Sequence, residues 1–289
     1  RRQLRDVEVR WLRVLPEDEA LARTLATTVR APPRPTHADP DFEDYNEASR
    51  REFLQFYAKD QLDPARNELK GPLAAAILRG LADEDQEEES GRRRSFVDLG
   101  SASGTLTFAA ALSGRFARCG GLELSPRSHG EAVKSRDLGP FADVALYQGD
   151  LRSFPHFADY DLLYCAVRGA KARPHLMSAM LSFLFSDADE HFPAGKPKRF
   201  VCAGFGVDDL RLHLSRAYCV LPADADAATA GFNDVLPLYG EDQGPRVLVE
   251  YTIFPPSSDD DLSCRDAKRA KLSPSSSSSS TKQATAAAQ

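Results

Sequence analysis

The stretch Phe96-Val97-Asp98-Leu99-Gly100-Ser101-Ala102-Ser103-Gly104 constrains the fold of this 289-residue chain more than any other. A short apolar run ends in an acid, opens into Gly, Ser and Ala, and passes at once into the helix-forming Leu106-Thr107-Phe108-Ala109-Ala110-Ala111-Leu112. The order is strand, tight turn, helix. Glycine lets the backbone approach a ligand closely, and the first turn of the helix offers unpaired N–H groups. A nucleotide-like ligand is expected against this turn.

From Ser95 onward strand and helix patterns alternate with short connections. Strands are predicted over residues 95–99, 118–124, 143–147, 160–167 and 199–203, and helices over 104–112, 126–136, 174–185 and 207–214. Such alternation implies a parallel sheet covered on both faces. The end breaks the rhythm. Residues 217–221 and 246–254 both read as strands with no helical pattern between them, and are expected to pair antiparallel.

Before this region, Val7, Trp11, Val14, Leu15, Leu21, Leu25 and Val29 fall close to helical spacing with Pro16 interrupting, which predicts one or two amphipathic helices that cover a core. Ala31-Pro32-Pro33-Arg34-Pro35 is a stiff connector. Helices are predicted over 48–59 and 71–81, and the run from Asp83 to Arg94 changes from acid to base as an exposed loop would. After Phe254 the composition turns to Pro, Ser and Asp, with Lys268-Arg269-Ala270-Lys271 and a serine run from Ser275 to Ser280. Too little apolar surface is available there to offset ordering entropy. The expected organisation is an N-terminal helical extension with an acidic/basic loop (1–94), a ligand-binding domain (95–254) and a Ser-rich tail (255–289).

A hydrophobic content of 42% supports a real core, and one core is expected. The formal net charge of -6 argues against broad, charge-driven binding to nucleic acid. Five cysteines, with none in metal-ligand spacing, indicate neither a disulfide framework nor a metal site, and fit a reducing intracellular compartment. No apolar run is long enough for a membrane span, and Arg1-Arg2-Gln3-Leu4 lacks a signal-peptide core. The basic cluster at Lys268–Lys271 makes a nuclear location an option beside a cytoplasmic one.

Three acids fall at the C-terminal ends of successive strands: Asp98, Glu123 and Asp150. Ligands of open α/β sheets bind outside those ends, so all three can face one cleft. Asp98 can hold the turn or meet a ligand amino group through water, Glu123 can accept two ribose hydroxyls, and Asp150 can accept from an adenine amino group.

These residues resemble the class I S-adenosylmethionine-dependent methyltransferases. Val97-Asp98-Leu99-Gly100-Ser101-Ala102-Ser103-Gly104 is similar to that family's first motif, with Ala102 where glycine is usual. Gly121-Leu122-Glu123-Leu124-Ser125 resembles the ribose-binding strand end, Gln148-Gly149-Asp150-Leu151 the adenine-contacting turn, and Asp161-Leu162-Leu163-Tyr164-Cys165 the fourth strand. The resemblance implies a Rossmann-like seven-stranded α/β sheet with a terminal antiparallel pair. It also implies S-adenosyl-L-methionine as cofactor, held by Asp98, Gly100, Ser101, Ala102, Gly104, Glu123, Gly149, Asp150 and Leu151.

Within that superfamily the chain resembles the histone lysine methyltransferases that lack a SET domain. Tyr45-Asn46-Glu47 is loosely similar to their Tyr-Gly-Glu element, whereas Cys165-Ala166-Val167-Arg168 replaces the asparagines they carry after the fourth strand. This resemblance implies a protein lysine acceptor with Tyr45, Glu47 and Cys165 as candidate catalytic residues. Arg168, Lys171 and Arg173 could meet an acidic substrate. Two other readings stay open: a cofactor-binding but inactive scaffold, or a small-molecule or RNA methyltransferase. An NAD-dependent oxidoreductase is disfavoured by the incomplete G-x-G-x-x-G pattern and the terminal strand pair.

Overall fold

The computed structural model describes residues 7–29, 71–83, 93–165, 173–203, 211–226, 229–230, 234–238 and 246–256. The chain divides into a compact unit, Arg1–Pro255, and a C-terminal segment, Pro256–Gln289. The compact unit is built on one sheet of eight strands: β1 (Glu8–Arg13), β2 (Ser95–Leu99), β3 (Arg118–Glu123), β4 (Ala145–Gln148), β5 (Leu162–Cys165), β6 (Lys198–Ala203), β7 (Leu212–Leu221) and β8 (Val247–Ile253). Their order across the sheet is β1-β7-β8-β6-β5-β2-β3-β4.

Strands β2 to β6 are mutually parallel, and β8 runs antiparallel to both β6 and β7. The seven strands β2 to β8 therefore form the Rossmann-like sheet with a terminal antiparallel pair that the sequence predicts. The eighth strand is an addition at the edge, where β1 pairs parallel to β7 with Glu8 opposite Arg216.

Helices cover both faces. On one face lie α1 (Pro16–Thr28), α2 (Gly71–Asp83), α3 (Thr105–Ser113) and α4 (Pro126–Leu138), packing Leu25, Leu78, Phe108 and Ala132 against Phe96, Leu162 and Tyr164 of the sheet. On the other lie α5 (Arg173–Ser186) and α6 (Ala188–His191), with Met177, Met180, Leu181 and Leu184 of α5 against Val97, Leu163 and Phe200. Burial on both faces explains why the central strands are apolar without strict alternation.

The predicted helical reading of residues 7–29 holds only from Pro16 onward, because Glu8–Arg13 is strand β1. Val7, Val9 and Trp11 alternate onto the α5 face while Leu12 and Val14 face α1 and α2, a period of two. Proline then sits in the first turn of α1, where its missing N–H costs nothing. The Asp18 carboxylate accepts from the Leu15 N–H at 2.8 Å and pairs with Arg79 of α2 at 3.0 Å, fixing α1 on α2.

The predicted helix over 207–214 is also corrected, since Leu212–Leu221 is one long strand, and residues 207–210 lie outside the described residues. Pairing of Leu212, His213 and Leu214 with Ile253, Thr252 and Tyr251 of β8 overrides the local pattern. The predicted helix over 48–59 lies outside the described residues.

Between β6, β7 and β8 the α2 face holds a buried polar network. Arg199 donates to both oxygens of Glu250 at 2.8 and 2.5 Å, to the Tyr218 hydroxyl at 3.1 Å and to the Leu81 carbonyl of α2 at 3.0 Å. The Tyr218 hydroxyl donates to Glu250 at 2.6 Å. Each member has a partner, the condition under which a buried ion pair is tolerated.

Candidate cofactor site

The turn after β2 folds as its composition requires. Gly100 and Gly104 adopt φ of 91° and 85°, values that a side chain makes costly. Ala102 lies between them at φ 48°, the left-handed region, so the alanine that replaces glycine here carries backbone strain. The Gly100 and Ser101 N–H groups both donate to the Leu122 carbonyl, at 2.8 and 2.9 Å, which ties the turn to β3. Helix α3 then starts at Thr105, directly after Gly104.

Glu123 at the end of β3 is the second tie. Its Oε2 accepts from the Ala102 N–H and its Oε1 from the Ser125 N–H, each at 2.8 Å. The Glu123 carbonyl accepts from the Gly149 N–H at 3.0 Å, joining the end of β4 to the same cleft. Ser125 in turn caps α4, its side chain accepting from the Ser128 N–H.

Asp98 lies beneath the turn. It is 4% exposed, and none of the described residues donates a hydrogen bond to it. Burial first, and the nearby Glu123 charge second, push its carboxyl up to about 8. Across the sheet its register neighbours are Gly121 on β3 and Tyr164 on β5.

Gly121 is a requirement that the motif does not announce. A Cβ there would come within 2.8 Å of both the Ser101 and the Thr107 hydroxyl oxygens. Thr107, fully buried in the first turn of α3, has a side-chain oxygen with no hydrogen-bond partner among the described residues. The signal available in the sequence is the Gly120-Gly121 pair inside a strand, which marks close backbone approach. No sequence pattern announces the unpaired Thr107 hydroxyl.

Asp150 reaches the same end of the sheet but is committed to its own loop. It caps the 3-10 turn Leu151–Ser153 by accepting from the Arg152 N–H at 2.8 Å, and the Arg152 guanidinium holds both of its oxygens. Leu151 is half-buried and packs against the apolar cluster of the α5 face.

The structure thus brings Asp98, Gly100, Ser101, Ala102, Gly104, Glu123, Gly149, Asp150 and Leu151 to the C-terminal ends of β2, β3 and β4. It does not bring Cys165 to Asp98. Cys165 ends β5 as a buried thiol in the apolar cluster of the opposite face, beside Cys202 of β6. Tyr45, Glu47, Arg168 and Lys171 lie outside the described residues. Among the described residues no cluster of His, Cys, Asp or Glu has metal-binding form, and no helix is long and apolar enough to cross a membrane.

No family model matches the chain, and no curated protein matches it. Solved structures are similar to it. One is an RNA methyltransferase from Salinibacter ruber in complex with S-adenosyl-L-homocysteine, 20% identical over 64% of this chain and 94% of that one, with a TM-score of 0.41. Another is a putative RNA methyltransferase from Pyrococcus horikoshii, 11% identical over 84% of this chain and 98% of that one, with a TM-score of 0.47. A third is the magnesium protoporphyrin IX methyltransferase of Synechocystis with bound SAM, 12% identical over 76% of this chain and all of that one, with a TM-score of 0.41. The resemblance to histone lysine methyltransferases gains no support, since its Tyr45-Asn46-Glu47 element lies outside the described residues.

Proposed function

We propose that the chain is a methyltransferase that binds S-adenosylmethionine against the glycine turn, at the ends of β2, β3 and β4. The observation that carries this reading is the bond from the Ala102 N–H to Glu123 at 2.8 Å, beside the buried acid Asp98. A dinucleotide site of this architecture offers its turn N–H groups to a pyrophosphate. Here a carboxylate of the protein occupies that donor and a second acid lies beneath it. The Glu123 carboxylate at this point repels a pyrophosphate and attracts a cation.

Residues of the turn fit such a cofactor. Asp98 is a buried acid that accepts no hydrogen bond from the described residues, and Gly121 keeps the floor of the turn free of a side chain that would meet Ser101 and Thr107. When bound, the cofactor supplies an electrophilic methyl group on a cationic sulfonium. Glu123 accepts the ribose hydroxyls, since a carboxylate has about four acceptor positions and its two N–H bonds leave it oriented. Asp150, locked by Arg152, fixes the loop that presents Leu151 as an apolar wall for the adenine. The remaining demand is alignment of donor and acceptor, which needs no strong acid or base when the acceptor is already a neutral nucleophile. RNA, protein and small-molecule acceptors are the classes to test.

Titration calorimetry with S-adenosylmethionine, S-adenosylhomocysteine and NADH tests the cofactor. Binding of the first two, lost in Glu123→Ala, is expected; binding of NADH alone overturns the reading. Transfer of a labelled methyl group is then measured on transfer RNA, histone and small-molecule panels. Cofactor binding with no transfer to any acceptor leaves a binding-only scaffold, a reading favoured by the apolar burial of Cys165 at the end of β5.

A further inference from the structure

Asp98 faces the α2 and α3 side of the sheet, one residue short of the glycine turn. Among the described residues none donates a hydrogen bond to it and no cation pairs with it. On β3 the register neighbour is Gly121, flanked on that face by the buried thiol of Cys119 and by the Glu123 carboxylate. On β5 it is Tyr164, buried in the apolar core. Helix α3 contains no ionisable residue, and its buried Thr107 hydroxyl has no hydrogen-bond partner among the described residues. Helix α2 carries only Arg79 and Asp83, and these pair with Asp18 and Arg115.

Among the described residues the charge that acts on Asp98 is Glu123, of the same sign. Two backbone N–H groups donate to Glu123, and such bonds favour a carboxylate over a carboxylic acid. Burial and a neighbouring like charge both favour the neutral form of the acid that lacks donors.

We propose that Asp98 is a neutral carboxylic acid in the ligand-free protein and that a cationic ligand group enters beneath the glycine turn in exchange for its proton, making Asp98 the residue that selects positively charged ligands. The O–H bond of Asp98 breaks heterolytically, the proton passes to solvent buffer, and the carboxylate left behind pairs with the ammonium or sulfonium of the ligand. No electron changes hands. The exchange rests on the cofactor reading above, whereas the proton on Asp98 in the empty site does not. Burial and the Glu123 charge support the same assignment, placing the Asp98 titration at about 8.

Two measurements test it. In protein carrying carboxyl-labelled aspartate, the carbon resonance of Asp98, assigned by its loss in Asp98→Asn, is followed with pH. A protonated signal at about pH 7 upholds the assignment, and a signal already ionised there overturns it. Calorimetry at that pH is then run in two buffers of different protonation enthalpy, with S-adenosylmethionine and S-adenosylhomocysteine on the unaltered protein. Release of close to one proton on binding is expected. Release with both ligands assigns the exchange to the ammonium that they share, and release with S-adenosylmethionine alone assigns it to the sulfonium. Binding without proton release overturns the exchange and leaves the cofactor reading standing. Absence of binding by either overturns the cofactor reading and the exchange with it, while the carboxyl titration still decides the state of Asp98.

Discussion

Glu123 holds Ala102 by a 2.8 Å hydrogen bond from the Ala102 N–H to its Oε2, so the strained residue of the glycine turn is fastened to the end of the neighbouring strand. The other oxygen holds the Ser125 N–H at the start of α4. One side chain thereby ties the turn after β2 to the start of the helix after β3, beside the proposed cofactor site. Glu123→Ala leaves both N–H groups without this acceptor and is expected to cost about 1–3 kcal/mol of stability and to abolish measurable cofactor binding. Glu123→Gln keeps the size but offers one acceptor oxygen and no charge, and is expected to fall between. Urea denaturation and calorimetry with S-adenosylhomocysteine, run on both variants, check the order.

Ala102 itself gives the opposite sign. At φ 48° an alanine pays about 1–2 kcal/mol that glycine does not, while glycine adds about 0.4–1 kcal/mol of unfolded-chain entropy. The balance favours glycine, so Ala102→Gly is expected to raise stability by roughly 0.5–1 kcal/mol with cofactor affinity retained. An unchanged or lower denaturation midpoint would show that the turn relaxes around alanine without strain.

Gly121 is expected to be intolerant for a reason of space. An added Cβ at 2.8 Å from the Ser101 and Thr107 oxygens forces the turn or α3 to shift, a change that in packed interiors costs about 1–3 kcal/mol. Gly121→Ala should lower both stability and cofactor affinity, and adding Ser101→Ala and Thr107→Ala should restore part of each. Thr107→Val alone should stabilise the ligand-free protein by about 1 kcal/mol, since it removes a buried hydroxyl that lacks a partner. Thermal denaturation of these variants with and without S-adenosylhomocysteine separates these effects.

What the sequence showed and what it hid divide along the range of the interactions. Asp98, Gly100, Gly104 and Glu123 were legible because strand, turn and helix follow one another within a few residues, and the chemistry of a glycine turn is local. The β1 strand was not, since Val7, Trp11, Val14 and Leu15 fit a helical spacing as well as Val7, Val9 and Trp11 fit alternation. Pairing of Glu8 with Arg216, far along the chain, decides between them. Asp150 lies at the expected strand end, and the structure adds a partner that the sequence reading did not name. The partner that takes its carboxylate, Arg152, is only two residues on, and an acid followed by a base is ordinary on any surface. Thr107 left no trace, because a missing partner is a property of the packed structure.

The pH dependence of stability carries two opposed contributions. Asp98 is raised from 3.8 to about 8, so the folded state binds its proton more tightly than the unfolded chain does. That stabilisation is fully present below pH 3.8 and is lost as pH rises through about 8. Lys198 is buried, donates to the Phe157 and Tyr160 carbonyls at 2.8 Å each, and is lowered by burial from 10.5 to about 8. Its contribution is present above pH 10.5 and is lost as pH falls through about 8. The difference in unfolding free energy between the unaltered protein and Asp98→Asn should therefore shift against the unaltered protein from acid to about pH 8 and then level. The difference against Lys198→Met should shift in its favour from about pH 8 upward. Denaturant titrations at intervals across this range check both slopes, and a flat Asp98 profile would place its charge in both states alike.

The network at Arg199 tests whether the terminal strand pair depends on charge or on packing. Arg199 and Glu250 are buried, meet at 2.5 Å, and share Tyr218 between them, while Arg199 also binds the Leu81 carbonyl at the end of α2. Removing one partner leaves the other as an uncompensated buried charge, which costs about 3–5 kcal/mol, whereas replacing both by apolar residues of similar volume is often close to neutral. Arg199→Met and Glu250→Leu are each expected to lower stability by that amount, and the double variant to recover most of it. Tyr218→Phe, which removes one donor to Glu250, should cost about 1–2 kcal/mol. Recovery in the double variant shows that apolar packing can replace the ion pair in holding β6, β8 and β7 together. A double variant as unstable as the sum of the singles would show instead that the Leu81 carbonyl cannot be left without its donor.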